Sequence, residues 1–160
     1  MIGEHFLWTE KYRPSTLSDI ILPETIKAQF TKYIEQKNIP NLILSGGAGV
    51  GKTTIARAVI NEIGADMMFF NASKERGIDI FRNDVTQFAS TISFAGGRKY
   101  IILDEADNIT PDAQKALRAL MEEFAKNCGF ILTCNFVHRL IEPIHSRCSI
   151  VNFNIDNKLK

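Results

Sequence analysis

The run Gly46-Gly47-Ala48-Gly49-Val50-Gly51-Lys52-Thr53 constrains the fold of this chain more than any other stretch, because it fits G-x-x-x-x-G-K-[ST] in the right context. A strand-like run, Asn41-Leu42-Ile43-Leu44-Ser45, leads in, and a helix-like run, Thr54-Ile55-Ala56-Arg57-Ala58-Val59-Ile60, leads out. Glycines let the backbone curl so that successive N–H groups face phosphate oxygens, and a helix N-terminus adds its positive dipole. The pattern predicts a nucleoside triphosphate site made by Gly46, Gly47, Ala48, Gly49, Val50, Gly51, Lys52, Thr53 and Thr54. Lys52 would reach the β- and γ-phosphates and the Thr53 hydroxyl would ligate Mg²⁺. A glycine-rich turn capping an ordinary strand–helix unit is the plainer alternative, and it leaves the Lys-Thr pair in register unexplained. The loop alone does not separate a kinase from a GTPase, a motor or a switch.

Around the loop, short apolar runs alternate with helical patterns. Strands are predicted at 41–45, 67–70, 100–103, 130–133 and 149–153, each short enough to be buried on both faces. Helices are predicted at about 52–63, 78–92 and 110–126. In the last, Thr110 suits an N-cap before Pro111, and Ala113, Ala116, Leu117, Leu120, Met121 and Phe124 recur at helical spacing. Residues 1–40 read as an arm and one further helix, which Pro23 starts, Ile26, Phe30 and Ile34 face inward from, and Asn38-Ile39-Pro40 stops. Buried strands joined by helices imply an α/β fold, a three-layer αβα sandwich on a parallel sheet of five strands. Ligands in such a sheet sit at the carboxyl ends of the strands, where the glycine loop lies. The core would run over 41–155, leaving 156–160 as a polar tail.

The net charge of +1 gives no global pull toward nucleic acid, so any such contact must come from a local patch or from several copies together. Cys128, Cys134 and Cys148 have no C-x-x-C spacing and read as reduced thiols rather than a zinc site. No apolar run reaches membrane-spanning length and the N-terminus lacks signal-peptide order, so a soluble, cytoplasmic protein is expected.

Tyr100-Ile101-Ile102-Leu103-Asp104-Glu105 is an apolar strand ending in two carboxylates. Paired with the glycine loop, it predicts Asp104 as a second Mg²⁺ ligand opposite Thr53 and Glu105 as the base that polarises a water attacking the γ-phosphate. A base aimed at water favours hydrolysis over transfer to a small acceptor. Residues 104–107 also spell the Asp-Glu-Ala-Asp label of a helicase family, but the other motifs of that family are not found. Asn135 ends another strand, where its amide could orient the water or simply open a turn before Phe136. Arg147, in Ser146-Arg147-Cys148, sits at a domain edge and would by itself read as a surface arginine.

Together these residues resemble the small subunits of sliding-clamp loaders, the replication factor C type of AAA+ ATPase. Trp8-Thr9-Glu10-Lys11-Tyr12-Arg13-Pro14 is similar to the family's N-terminal "EKYRP" box, and Asn71 to Asp79 to its "NASDERGID" segment. The glycine loop and Ile102 to Asp107 resemble its Walker A and B motifs, Asn135 falls at sensor 1, and Ser146-Arg147-Cys148 matches the SRC motif. Ala65 to Phe70 resembles bacteriophage loaders in particular. The resemblance implies ATP and Mg²⁺ as cofactors, and other loader subunits in a pentameric ring, a sliding clamp and primer–template DNA as partners. It implies that Arg147 acts in trans as an arginine finger on a neighbouring subunit's γ-phosphate. It places Tyr12, Arg13 and Pro14 at the adenine and phosphates, and makes Arg76 a regulator of Glu105, although Lys74 stands where the family has aspartate. Arg82, Asn83 and Thr86 would face DNA, touching phosphates without reading bases. Family members continue into a helical lid and a collar, whereas thirteen residues follow Arg147 here, so a fragment is expected ahead of a naturally shortened subunit, with weak ATPase activity. Two other readings share the fold: a non-catalytic scaffold that only donates its arginine, and a different AAA+ DNA motor such as a helicase loader or branch-migration motor. The first should lose Lys52 or Glu105, and the second should lack the "EKYRP" box and SRC motif together.

Overall fold

Pro23 stands at the N-cap of the first helix in non-helical geometry, and its carbonyl accepts the Lys27 amide at 2.9 Å. This helix, α1, spans Glu24–Gln36 and buries Ile26 and Phe30, with Ile34 half-buried on the same face. Strands and helices then alternate: β1 Leu42–Ser45, α2 Lys52–Ile63, β2 Met67–Asn71, α3 Gly77–Ser90, β3 Lys99–Asp104, α4 Pro111–Glu123, β4 Cys128–Cys134, α5 Glu142–Arg147 and β5 Ser149–Asn152. Short 3₁₀ turns lie at Leu17–Asp19, Ala106–Asn108 and Val137–Arg139. This computed structural model describes residues 16–20, 22–47, 49, 51–73, 77–91, 93 and 97–153. Tyr12, Arg13, Pro14, Ala48, Val50 and Arg76 lie outside the described residues, as does the polar tail. No helix among the described residues is long and apolar enough to cross a membrane.

The five described strands form one parallel sheet in the order β2-β3-β4-β1-β5. Their unbroken apolar runs are divided by the two-residue alternation of a strand. Leu42, Leu44, Tyr100, Ile102 and Ile131 pack toward Ile26 and Phe30 of α1 and Ile55 and Val59 of α2. Ile43, Ile101, Leu103, Phe130 and Leu132 pack the other way, against Phe81 and Val85 of α3, Leu117 and Leu120 of α4, and Ile144 of α5. Each such side chain contributes about 1.5–3 kcal/mol through burial, and the result is the three-layer αβα sandwich that the alternation implies.

Several boundaries differ from the expected ones. The strand expected at 130–133 is the longer Cys128–Cys134, because Lys99 and Cys128 open the pairing with β3, which itself runs Lys99–Asp104 instead of 100–103. The helix expected to reach 126 ends at Glu123, since Phe124 leaves helical geometry and its carbonyl accepts the Asn127 and Cys128 amides. α3 covers 77–90, two residues shorter at its end than the expected 78–92, and β1, β2 and β5 differ from their expected ranges by one residue. Helix α5 carries a single buried apolar residue, Ile144, too few for a periodic pattern, so it escapes sequence reading.

The strand order positions the site. β4 lies between β1 and β3, so the loop after β1, the end of β4 and the end of β3 are adjacent. The amide of Gly46 donates to the Cys134 carbonyl at 3.2 Å, which ties the glycine loop to the end of β4. The connection leaving β1 runs to one edge of the sheet and the one leaving β4 runs to the other, so the neighbours β1 and β4 form the kind of reversal point where α/β sheets bind ligands.

Candidate nucleotide-binding site

A cleft of about 280 Å³ opens at this point, lined by Gly49, Gly51 to Thr54, Asp104, Glu105 and Thr133 to Asn135. Two glycines need their freedom here: Gly49 and Gly51 have φ of 78° and 86°, left-handed values that a side chain would strain. Gly51 caps α2, so the helix N-terminus points its free amides into the cleft.

Lys52 is buried, and its ammonium donates to the carbonyls of Gly46 at 2.5 Å and Cys134 at 3.1 Å and to Asn135 Oδ1 at 2.7 Å. Burial lowers its pKa below the usual lysine value, opposed by Cys134 and by the carboxylates of Asp107, Asp104 and Glu105. The Thr53 hydroxyl donates to Asp104 Oδ1 at 2.8 Å, joining the glycine loop to the end of β3. Lys52, Thr53, Asp104, Glu105 and Asn135 therefore converge on one cleft from three strand ends. Thr54 and the described loop glycines Gly46, Gly47, Gly49 and Gly51 flank them.

Several supporting residues were not foreseen. Thr133 donates to Asp104 Oδ1 at 2.5 Å and accepts the Glu105 amide at 3.0 Å, so one hydroxyl fixes both acids. Glu105 has φ of 56°, an uncommon value for a residue with a side chain, and its carboxylate meets the Ser73 hydroxyl. Asn71 reaches Asp104 Oδ2 at 3.4 Å. Asp107 Oδ2 accepts the amides of Asn135 at 3.1 Å and Phe136 at 2.9 Å, holding the turn that presents Asn135. The fully buried Gln114 donates to the carbonyls of Ile109 and Arg139 and accepts the Ile141 amide, tying α4 to the segment that leads into α5. Signals for two of these exist in the sequence. Thr133 interrupts an apolar strand, and Gln114 stands three residues before Leu117 on an apolar helix face, so each had to find partners.

Other expected residues lie apart from the cleft. Arg147 is at the end of α5 and pairs with Glu122 of α4. Arg82, Asn83 and Thr86 share an exposed face of α3. There Arg82 is 3.6 Å from Asp79, and the Thr86 hydroxyl donates to the Arg82 carbonyl at 2.8 Å.

Comparison with known proteins bears on the fold and the family. The family model described as "ATPase family associated with various cellular activities (AAA)" matches residues 42–154. The replication factor C small subunit of Methanoculleus marisnigri is 45% identical over 159 residues, covering 96% of this chain and 49% of that protein. The same subunit of Saccharolobus solfataricus is 45% identical over 157 residues, covering 94% of this chain and 47% of its own length. The chain thus spans about half the length of the curated relatives it matches. Among solved structures, the Thermotoga maritima RuvB Holliday junction branch migration motor superposes with a TM-score of 0.69 at 18% identity, over 88% of this chain and 47% of that one. At that identity the likeness speaks for the fold alone.

Proposed function

The chain belongs to the AAA family of ATPases, and from that premise we propose that it is the ATP-hydrolysing domain of a sliding-clamp loader subunit of the replication factor C type. In this reading it helps to open a ring-shaped clamp and place it on primer–template DNA, with other loader subunits as neighbours. The observation that carries it is the convergence of Lys52, Thr53, Asp104, Glu105 and Asn135 on one cleft. The similarity to replication factor C small subunits supports the choice among AAA functions.

The donor set suits Mg²⁺, being a hydroxyl and a carboxylate 2.8 Å apart beside a lysine placed for phosphate. Thr53 and Asp104 would hold the ion, which when bound neutralises phosphate charge. Lys52 exchanges its carbonyl partners and Asn135 for the β- and γ-phosphates of ATP, while the N-terminus of α2 and the loop amides cradle them. Glu105 accepts the proton of the attacking water, and the side-chain amide of Asn135, carried on a turn whose backbone amides Asp107 holds, orients that water. Arg147 serves the site of the adjacent subunit, where it stabilises charge on the transferred phosphoryl group. The family resemblance assigns Tyr12, Arg13 and Pro14 to the adenine and phosphates, Arg76 to the restraint of Glu105, and Arg82, Asn83 and Thr86 to DNA phosphates. A scaffold role without turnover is disfavoured by the presence of Lys52, Thr53, Asp104 and Glu105 together.

The test is ATP turnover by the protein assembled with its clamp and primed DNA. Glu105→Gln should abolish turnover while ATP binding, followed by a fluorescent nucleotide, survives. Unchanged turnover would refute Glu105 as the base.

A further inference from the structure

Arg147 is not a free surface arginine. Its Nη2 donates to Glu122 Oε1, and the same oxygen accepts from Arg118 Nη1 at 3.0 Å. Arg118 and Glu122 are one turn apart on α4, the spacing at which helical side chains meet. Arg147 comes from a different element, at the last turn of α5. The side chains of Arg118, Glu122 and Arg147 are 38%, 37% and 48% exposed, so the group is open to a partner yet orders itself within one chain.

We propose that Glu122 is a positioning residue for the trans-acting arginine: it holds the Arg147 guanidinium in the orientation in which the neighbouring subunit's γ-phosphate meets it. The proposal rests on the trans role given above to Arg147. Three physical points carry it. Engagement through Nη2 leaves the Nη1 and Nε donors of the planar fork for a second anion. One carboxylate between two guanidiniums leaves the group with a net positive charge, so it still attracts a phosphate. A long arginine otherwise loses considerable rotamer freedom on docking, and a contact that orders it beforehand removes part of that cost from the transition state. Arg118 completes the device by fixing the carboxylate from the rigid helix side.

The consequence is a defect in rate rather than in ATP affinity, because ATP is held by the glycine loop of the other subunit. In the assembled protein, with clamp and primed DNA, Glu122→Gln should lower kcat for ATP by about two- to tenfold, the range for ordering one flexible side chain. KM for ATP and the melting temperature should stay unchanged, the latter because Glu122 is exposed. In an Arg147→Ala background, Glu122→Gln should cause no further loss, since the residue it positions is gone. A wild-type kcat in Glu122→Gln beside a depressed one in Arg147→Ala would overturn this inference alone. So would independent, multiplying losses in the double variant. A wild-type rate in Arg147→Ala would overturn the finger itself and the positioning role with it.

Discussion

At the scale of single residues, the site depends on buried polar groups that each satisfy more than one partner. Thr133 is the clearest, since its hydroxyl serves both the Asp104 carboxylate and the Glu105 amide. Thr133→Val keeps the shape and removes the oxygen, leaving the Glu105 amide without its partner. That variant should lose about 1–3 kcal/mol of stability in urea titration and also turn over ATP more slowly, because Glu105 is no longer anchored. A variant as stable and active as the parent would show that this contact is dispensable. The cysteines give a pH signature. Burial pushes the Cys148 thiol from 9.0 up to about 12, and burial first of all pushes Cys134 up to about 11. Above pH 9 the unfolded chain gives up these protons while the folded chain keeps them, so stability falls as pH rises. The contribution is whole below about pH 9 and lost as pH climbs through the folded values near 11 and 12. Urea unfolding at pH 8 and pH 10 should show a smaller decline in Cys148→Ala than in the parent. An equal decline in both would contradict the assignment.

At the scale of elements, β3 and β4 meet where Tyr100 faces Gly129 across the sheet. A Cβ on Gly129 would lie 2.7 Å from Tyr100 Cε1. The ring cannot retreat easily, because it is fully buried and its hydroxyl accepts the Ile39 amide at 3.0 Å. Gly129→Ala should therefore destabilise the fold by about 1–3 kcal/mol, the cost of overpacking, measured by thermal or denaturant unfolding. A neutral effect would mean that the two strands separate more readily than their packing suggests. Element by element, the sequence was most legible where one signal ruled. The glycine loop with its flanks marks β1 and α2, Thr110 caps α4 through the Ala113 amide as its residue type suggests, and two acids close β3. Legibility failed where tertiary contacts decide. The ends of β4 and α4 follow from pairing with Lys99 and from the Phe124 turn. Helix α5 is too short to show a period, and the roles of Asp107, Gln114 and Glu122 emerge only when distant segments meet. In the site, the residues that would touch ATP carry a motif, whereas those that support them mostly do not.

At the scale of the whole molecule, Lys52, Thr53, Asp104, Glu105 and Asn135 share a cleft, while Arg147 stands outside it, ordered by Glu122 and half-exposed. That division is what a site completed by a neighbouring copy or relative requires. In the proposed function, Glu105 and Arg147 contribute to one reaction from two different chains. The most direct measurement mixes Arg147→Ala subunits with Glu105→Gln subunits and follows ATP turnover after co-assembly is verified. Each variant alone should be nearly inactive. The mixture should regain activity, because some interfaces then pair an intact Glu105 with an intact Arg147. A co-assembled mixture as inactive as its components would contradict the account.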